Sequence, residues 1–331
     1  MTVITGTSDV NVNVQGYLDR AMLMRATPAL LHQRWVQIRP VPKNSGTKIT
    51  FRRVGSLAVA GKLTEGTPPT GKKLQVSDIY ATLFQTGDFI RYTDWLSMTS
   101  PSSELVEMAE VLGEQAGLTL DTFARDEWHT GTMVRYANDV AGRTSIDKTI
   151  QLNDAKAVVR ILEGLNCKKV RKKVVATDKV ATQPVRPSYI GITHTDCRQD
   201  WENLAGFIPV ENYASQADVE EEEIGTFKGI RVMATTNAKV HLAGGAAVGV
   251  TGLVAADATN VDVYNTLVFG ADAFGSIPLQ KKTIKNIVKE LGRTGFDPLD
   301  QVGTSGWKAA ITNKILNDNF VIRIEHGATD L

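Results

Sequence analysis

The sequence predicts an α+β fold built around one long amphipathic helix and an extended two-stranded β-ribbon. Three observations predict it. Residues 47–60 and 74–93 alternate apolar and polar side chains with the period of a strand, and a Gly- and Pro-rich stretch separates them. Leu105, Met108, Ala109, Leu112, Ala116, Leu120 and Phe123 fall on one helical stripe. Short strand-like runs follow at 189–193, 230–234, 266–270 and 320–325.

Taken in order, residues 1–12 are small and polar and read as an extended arm. Tyr17, Leu18, Ala21, Met22 and Met24 come next at helical spacing, until Thr27-Pro28 stops the helix. Residues 29–36 predict a second short turn before Pro40 and Pro42. In the ribbon, Ile49 and Phe51 face one way and Lys48, Thr50 and Arg52 the other. The returning run carries Val76, Ile79, Tyr80, Leu83, Phe84, Phe89, Ile90 and Tyr92. Between the runs, residues 61–73 hold two adjacent prolines, three glycines and three lysines, with Glu65 the only acid. That composition precludes regular structure. A two-stranded ribbon is marginal by itself, and at ~3.3 Å per residue an arm of about 13 residues reaches ~40 Å. Its tip (Lys62, Leu63, Thr64, Glu65, Pro68, Pro69, Lys72 and Lys73) is therefore expected to gain its order from another chain.

The long helix is expected over 101–129. Ser100 can cap it, Pro101 suits its first position, and Glu104 favours its positive end. Glu107, Glu110 and Glu114 lie off the apolar stripe, and Gly113 and Gly117 either weaken the helix or admit a close neighbour. A shorter helix is expected over 154–163, with Ala155, Val158, Val159 and Leu162 on one face and Gly164 just past its end. The basic run 168–173 has no interleaved aromatic residue and reads as a solvated turn or strand edge. Residues 244–249 read as a flexible glycine-rich surface loop.

Composition narrows the function classes. With 42% hydrophobic and 22% charged residues, the chain can bury a core. A net charge of +1 argues against a free-standing nucleic-acid binder, which must neutralise phosphates. Cys167 and Cys197 cannot make a disulfide framework for this length and read as reduced packing groups. No stretch has the ~20 apolar residues of a membrane span, and the start lacks a signal-peptide pattern, so cytoplasmic synthesis is expected.

Motifs for chemistry are weak. His32, His129, His194, His241 and His326 show no zinc-like spacing. Asp218 and the acids at 220–223 lack the alternating ligands of a calcium loop and read as a solvated acidic face or a charge match for a neighbour. Gly303-Thr304-Ser305-Gly306-Trp307 misses the nucleophile-elbow spacing, and the glycines at 244–249 miss the dinucleotide pattern. No catalytic, cofactor or metal residues are assigned.

Several segments carry a resemblance. They are Lys43-Asn44-Ser45-Gly46-Thr47, Phe51-Arg52-Arg53, Leu63-Thr64-Glu65-Gly66-Thr67-Pro68-Pro69 and Phe84-Gln85-Thr86-Gly87-Asp88. Tyr189-Ile190-Gly191-Ile192-Thr193-His194, Ile224-Gly225-Thr226-Phe227-Lys228-Gly229, Thr266-Leu267-Val268-Phe269-Gly270, Asp297-Pro298-Leu299-Asp300-Gln301-Val302 and Ile315-Leu316-Asn317-Asp318 follow in the same order. Together they resemble the major capsid proteins of N-four-like podophages, tailed bacteriophages whose shell subunits have the Hong Kong 97-type fold. The departure is Thr195, where the resemblance leads us to expect proline.

The resemblance implies a structural protein, not an enzyme, that self-assembles as pentamers and hexamers into an icosahedral shell around phage DNA. It implies an N-terminal arm at 1–46, an extended loop at 47–93, a peripheral domain with a spine helix at 94–188 and 299–331, and an axial domain at 189–298. The segment 306–325 would return to the peripheral sheet. Gly55, Gly87 and the 244–249 loop would serve as hinges between ring types. Scaffolding, portal and decoration proteins would be separate partners, DNA would be held only non-specifically, and no membrane or cofactor would be involved. The location would be the virion, after assembly in the host cytoplasm. Some shells of this type join a loop lysine to a neighbour's asparagine. Lys62, Lys72 or Lys73 would play the first part, Asn313, Asn317 or Asn319 the second, and Glu325 the base. Two other classes compete: an encapsulin-like compartment, separable by the absence of DNA, and an α+β enzyme, whose sign would be a deep pocket of coupled titratable groups.

Overall fold

A computed structural model describes residues 31–42, 46–55, 57–63, 65–66, 71–99, 104–170, 187–213, 219–249, 252–257, 259–279, 284–289, 299 and 301–330. The strands are β1 (Gln37–Ile38), β2 (Lys48–Val54), β3 (Val76–Thr82), β4 (Phe84–Thr93), β5 (Val134–Tyr136), β6 (Tyr189–His194), β7 (Phe207–Pro209), β8 (Glu223–Phe227), β9 (Ile230–Thr235), β10 (Val240–His241), β11 (Val263–Phe269), β12 (Phe274–Pro278), β13 (Ile284–Lys289), β14 (Val302–Ile315) and β15 (Val321–His326). The α-helices are α1 (Asp94–Thr99), α2 (Glu104–Trp128), α3 (Leu152–Gly164) and α4 (Arg198–Glu202). The polar arm, its helix, the Ser100-Pro101 start and Arg171-Lys172-Lys173 lie outside the described residues.

Two sheets and a ribbon result. In the five-stranded sheet, β14 pairs along its length with β4 on one side and with β13 and then β12 on the other, and β1 adds to β12. The eight-stranded sheet runs β5-β15-β11-β6-β9-β8-β7, with β10 beside β11. The ribbon is β2 paired with β3.

Helix α2 joins the sheets. Its first half lays Leu112, Ala116 and Leu120 on Trp307, Ala309 and Ile311 of β14. Its second half sends Ala124 and Trp128 among Ile190, Ile192, Leu267, Phe269 and Phe274. Trp128 stacks on Phe274 with ring centroids 4.1 Å apart. Phe123, expected on the buried stripe, is instead exposed, because the buried ridge runs through Gly113 and Gly117 to Asp121 and Ala124. Helix α3 buries Ala155, Val158 and Leu162 under the other sheet, and Asn166 takes the left-handed conformation (φ 55°) just past its end.

Several expectations are corrected. The returning ribbon run is two strands, not one. Leu83 donates its N–H to Thr47 at the ribbon base, and β4 then turns into the five-stranded sheet against β14. Gly87 is no hinge: it sits within β4, and a Cβ there would stand 2.4 Å from the Trp307 carbonyl oxygen. Residues 244–249 are held in place rather than loose. Gly245 and Ala246 donate to Val261 and Ile146, and Val248 donates to Thr259. The segment 306–325 divides. Its first part is β14, whereas β15 pairs with β11 in the eight-stranded sheet. The turn after β6, where proline was expected, is a 3-10 turn at Thr195–Cys197 in which His194 Nδ1 accepts from the Asp196 N–H.

Candidate assembly surfaces

The ribbon is anchored at one end. Phe51 and Ala81 are buried with Val41 and Ile277, and Ile49, Ile79 and Leu83 pack around them. Outward from there, pairing continues to Val54 opposite Val76, and Gly55 donates one more hydrogen bond to Gln75. Gly55 thus closes the paired ladder at its far end rather than hinging its base. Among the described residues from there to Gln75 there is no strand.

Of the tip residues, Lys62, Leu63, Glu65, Lys72 and Lys73 are exposed, while Thr64, Pro68 and Pro69 lie outside the described residues. Lys72 Nζ donates to the carbonyls of Ala58 and Val59 at 2.9 and 3.0 Å, which ties the two arms together. Large apolar side chains stand in solvent here: Val59 is 94% exposed, Leu63 76% and Tyr80 67%, with Leu57 and Leu74 beside them. Leu57, Val59 and Leu74 were not singled out from the sequence, and Tyr80 was read only as a strand residue. Their signal was apolar residues inside or next to a segment too rich in turn formers to bury them.

The groups considered for covalent joining would meet across two subunits; within one chain each has its own setting. Glu325 is fully buried, and Arg143 and Arg323 both hydrogen-bond its carboxylate. Burial opposes its ionisation, but the hydrogen bond from Arg143 and the charges of both arginines outweigh that and hold its pKa below the usual range. Clamped in this way, Glu325 is no free base. Asn317 uses its carbonyl oxygen to accept from the Asn319 N–H. Asn313 is buried, with neither amide atom hydrogen-bonded, and lines a 350 Å³ pocket with Phe84, Phe123, Asp126 and Glu127.

Three acids of the cluster, Glu220, Glu222 and Glu223, are paired within the chain, while Glu221 is exposed. Arg34 bridges Glu220 and Glu222, and Arg231 lies against buried Glu223 with Nε 2.9 Å from its carboxylate. Asp218 lies outside the described residues. Lys169 pairs with Glu163 and lies over the Tyr189 ring. Burial raises both thiols, Cys167 to about 11, so neither is a ready nucleophile.

Two sheets spanned by one long helix, with a ribbon projecting from them, make the α+β shell fold of the Hong Kong 97 type. The chain is similar over most of its length to solved phage capsid subunits. Against the capsid of Ralstonia phage GP4 the TM-score is 0.63 at 13% identity, covering 89% of this chain and 87% of that one. Against the capsid of Helicobacter pylori bacteriophage KHP30 it is 0.60 at 11% identity, covering 88% and 86%. Cyanophage P-SCSP1u gives 0.56 at 12%, covering 91% and 89%. No protein-family model and no curated protein sequence matches. The narrower N-four-like resemblance therefore rests only on the residues that suggested it.

Proposed function

We propose that this chain is a major capsid protein that assembles through pentamers and hexamers into an icosahedral shell around phage DNA. The observation that carries the reading is the likeness to capsid subunits over almost nine-tenths of both chains. A ribbon that exposes Val59, Leu63 and Tyr80 supports it, because such side chains call for a covering partner.

In this reading Lys62, Leu63, Thr64, Glu65, Pro68, Pro69, Lys72 and Lys73 form the contact with a neighbouring subunit. Residues 1–46 are the arm, 47–93 the extended loop, 94–188 with 299–331 the peripheral domain, and 189–298 the axial domain. Sheet membership favours exchanging two pieces, since β12 and β13 pair with β14 while β15 pairs with β11. Assembly takes place in the host cytoplasm, with scaffolding, portal and decoration proteins as separate chains and DNA held without sequence preference.

Electron microscopy of the expressed protein tests the reading. Closed shells or ring-shaped capsomers are expected, with DNA in native particles. A chain that stays a compact monomer under all salt and crowding conditions, with scaffold supplied, overturns it.

A further inference from the structure

Among the described residues, the five-stranded sheet is covered by a helix, α2, on one face only. The other face is an open groove of about 710 Å³ over β4, β14 and β13. Strand alternation and register set out its side chains in cross-strand rows. One row is Lys285 opposite Lys308, which in turn lies opposite Gly87. The next is Ile287, Gly306 and Phe89, and the third is Lys289, Thr304 and Arg91. Phe89 and Ile287 are exposed, and the Arg91 guanidinium lies 5.4 Å from the Phe89 ring centre. Arg91, Lys289 and Lys308 line the groove, with Lys285 beside Lys308 at its end; Asp88 lines it too, but its carboxylate accepts from Gln115 of α2 on the covered side. The order is cation, apolar, cation. Like charges placed directly opposite each other repel, so Lys285 and Lys308 favour an anionic occupant.

The same chain carries the complementary order on the outer side of α2. Glu107, Val111, Glu114 and Leu118 follow at four-, three- and four-residue steps, which is one stripe of a helix. Val111 is 53% exposed and Leu118 50%, facing away from the sheet that α2 covers. Glu107 to Glu114 spans ~10.5 Å along the helix, and Lys285 to Lys289 spans ~13 Å along the strand. Flexible Lys and Glu arms absorb the difference. The ribbon tip, itself rich in lysine, is the wrong sign for the groove.

We propose that the open sheet face of one copy receives the outer stripe of α2 from a second copy, with Val111 seated on Ile287 and Phe89 between the two rows of ion pairs. The two surfaces are different patches of one chain, so the contact is head-to-tail and builds rings or chains of subunits. It is separate from the ribbon-tip contact, and each fails independently of the other.

Charge exchange tests the pairing. A chain carrying Lys285→Glu, Lys289→Glu and Lys308→Glu, and another carrying Glu107→Lys and Glu114→Lys, should each lose self-association by about tenfold or more, measured by sedimentation. Mixing the two chains should restore it, since each reversed face then meets a reversed partner. Circular dichroism of each chain establishes that it is folded. A neutral pair, Val111→Cys with Ile287→Cys, should give disulfide-linked chain multiples under oxidation, at high protein concentration and in particles. No rescue on mixing together with no Val111–Ile287 disulfide overturns the proposal. So does a disulfide from Val111→Cys to Leu63→Cys in place of Ile287→Cys, which would give the stripe to the ribbon tip. Loss of DNA binding in the lysine-reversed chain with unchanged self-association would assign the groove to nucleic acid and overturn it equally.

Discussion

Asp121 binds one residue twice: its carboxylate accepts from the backbone N–H of His32 and from the His32 ring Nδ1, both at 2.7 Å. Asn237 donates a third hydrogen bond at 2.8 Å, and Arg125 holds Asn237 in turn. Both partners of the pair are buried. The segment entering β1 is thus pinned to the middle of α2, and α2 to the loop after β9. Asp121→Ala leaves two buried donors of His32 and the half-buried Asn237 amide without an acceptor and should cost about 3 kcal/mol of stability. Urea unfolding measures it. A midpoint shift worth less than ~0.5 kcal/mol would mean that the segment is held by packing alone.

How much of this was legible in the sequence follows from where the signal lies. Helices α2 and α3 were readable because their apolar residues repeat with the helical period, and strands β6, β9, β11 and β15 because they are short runs rich in β-branched and aromatic residues, β6 and β11 being buried on both faces. Strands β13 and β14 were not. Gly303, Gly306, Lys308 and Asn313 interrupt β14, and its alternation is set by the partners it meets, namely α2 on one face and open groove on the other. The break at Leu83 was hidden because an unbroken run of strand formers serves two sheets in succession. Asp121 carries only a faint sign, standing four residues after Gly117 and eight after Gly113 on a ridge of small residues. At the ribbon tip, the lysines and prolines could be read from composition. The exposed apolar residues around them carried only the weaker signal of standing beside a segment too rich in turn formers to bury them.

Acid should weaken the fold through His129. Burial disfavours its imidazolium and pulls the pKa from 6.5 down to about 3, although the Arg125 carbonyl that receives its ring N–H favours the charged form. His32, Arg323 and Arg125 face it and add to the lowering. The unfolded chain takes up the proton near pH 6.5, whereas the folded chain does not until near pH 3. Stability is therefore complete above 6.5 and declines as pH falls through that value, by up to ~1.4 kcal/mol per pH unit. His241 and His326 are shifted in the same direction. Thermal unfolding between pH 7 and 5 should show this slope, and His129→Gln should flatten it. An unchanged slope in the variant would remove His129 as the cause.

Trp128 ties the two sheets to one helix. It is fully buried, stacks on Phe274 beside β14, and lies against Phe269 of β11. Trp128→Ala empties a site shared by both sheets and should cost about 3–5 kcal/mol. Because β12 and β11 both lose a contact, unfolding should remain a single transition at a lower temperature. Two separated transitions by calorimetry would show that the sheets are independent units.

The ribbon tip should be dispensable for folding and required for assembly. The ribbon's buried side chains, Phe51 and Ala81, lie at its base, and its ladder ends at Gly55 and Gln75. The described residues between those two are outside both the ladder and the buried clusters. Replacing residues 56–74 by Asn-Gly joins the arms by a two-residue turn whose left-handed geometry matches the ribbon twist. The shortened chain should keep its helix content, and its thermal midpoint as a free subunit should stay within a few degrees of the parent, because no core side chain is lost. It should fail to close shells, because one overlapping contact per subunit disappears throughout the lattice. Circular dichroism reads the first half and electron microscopy the second. Normal shells from the shortened chain would remove the tip from assembly. An unfolded subunit would mean that residues 56–74 stabilise their own chain, and that Val59, Leu63 and Leu74 find their cover at home.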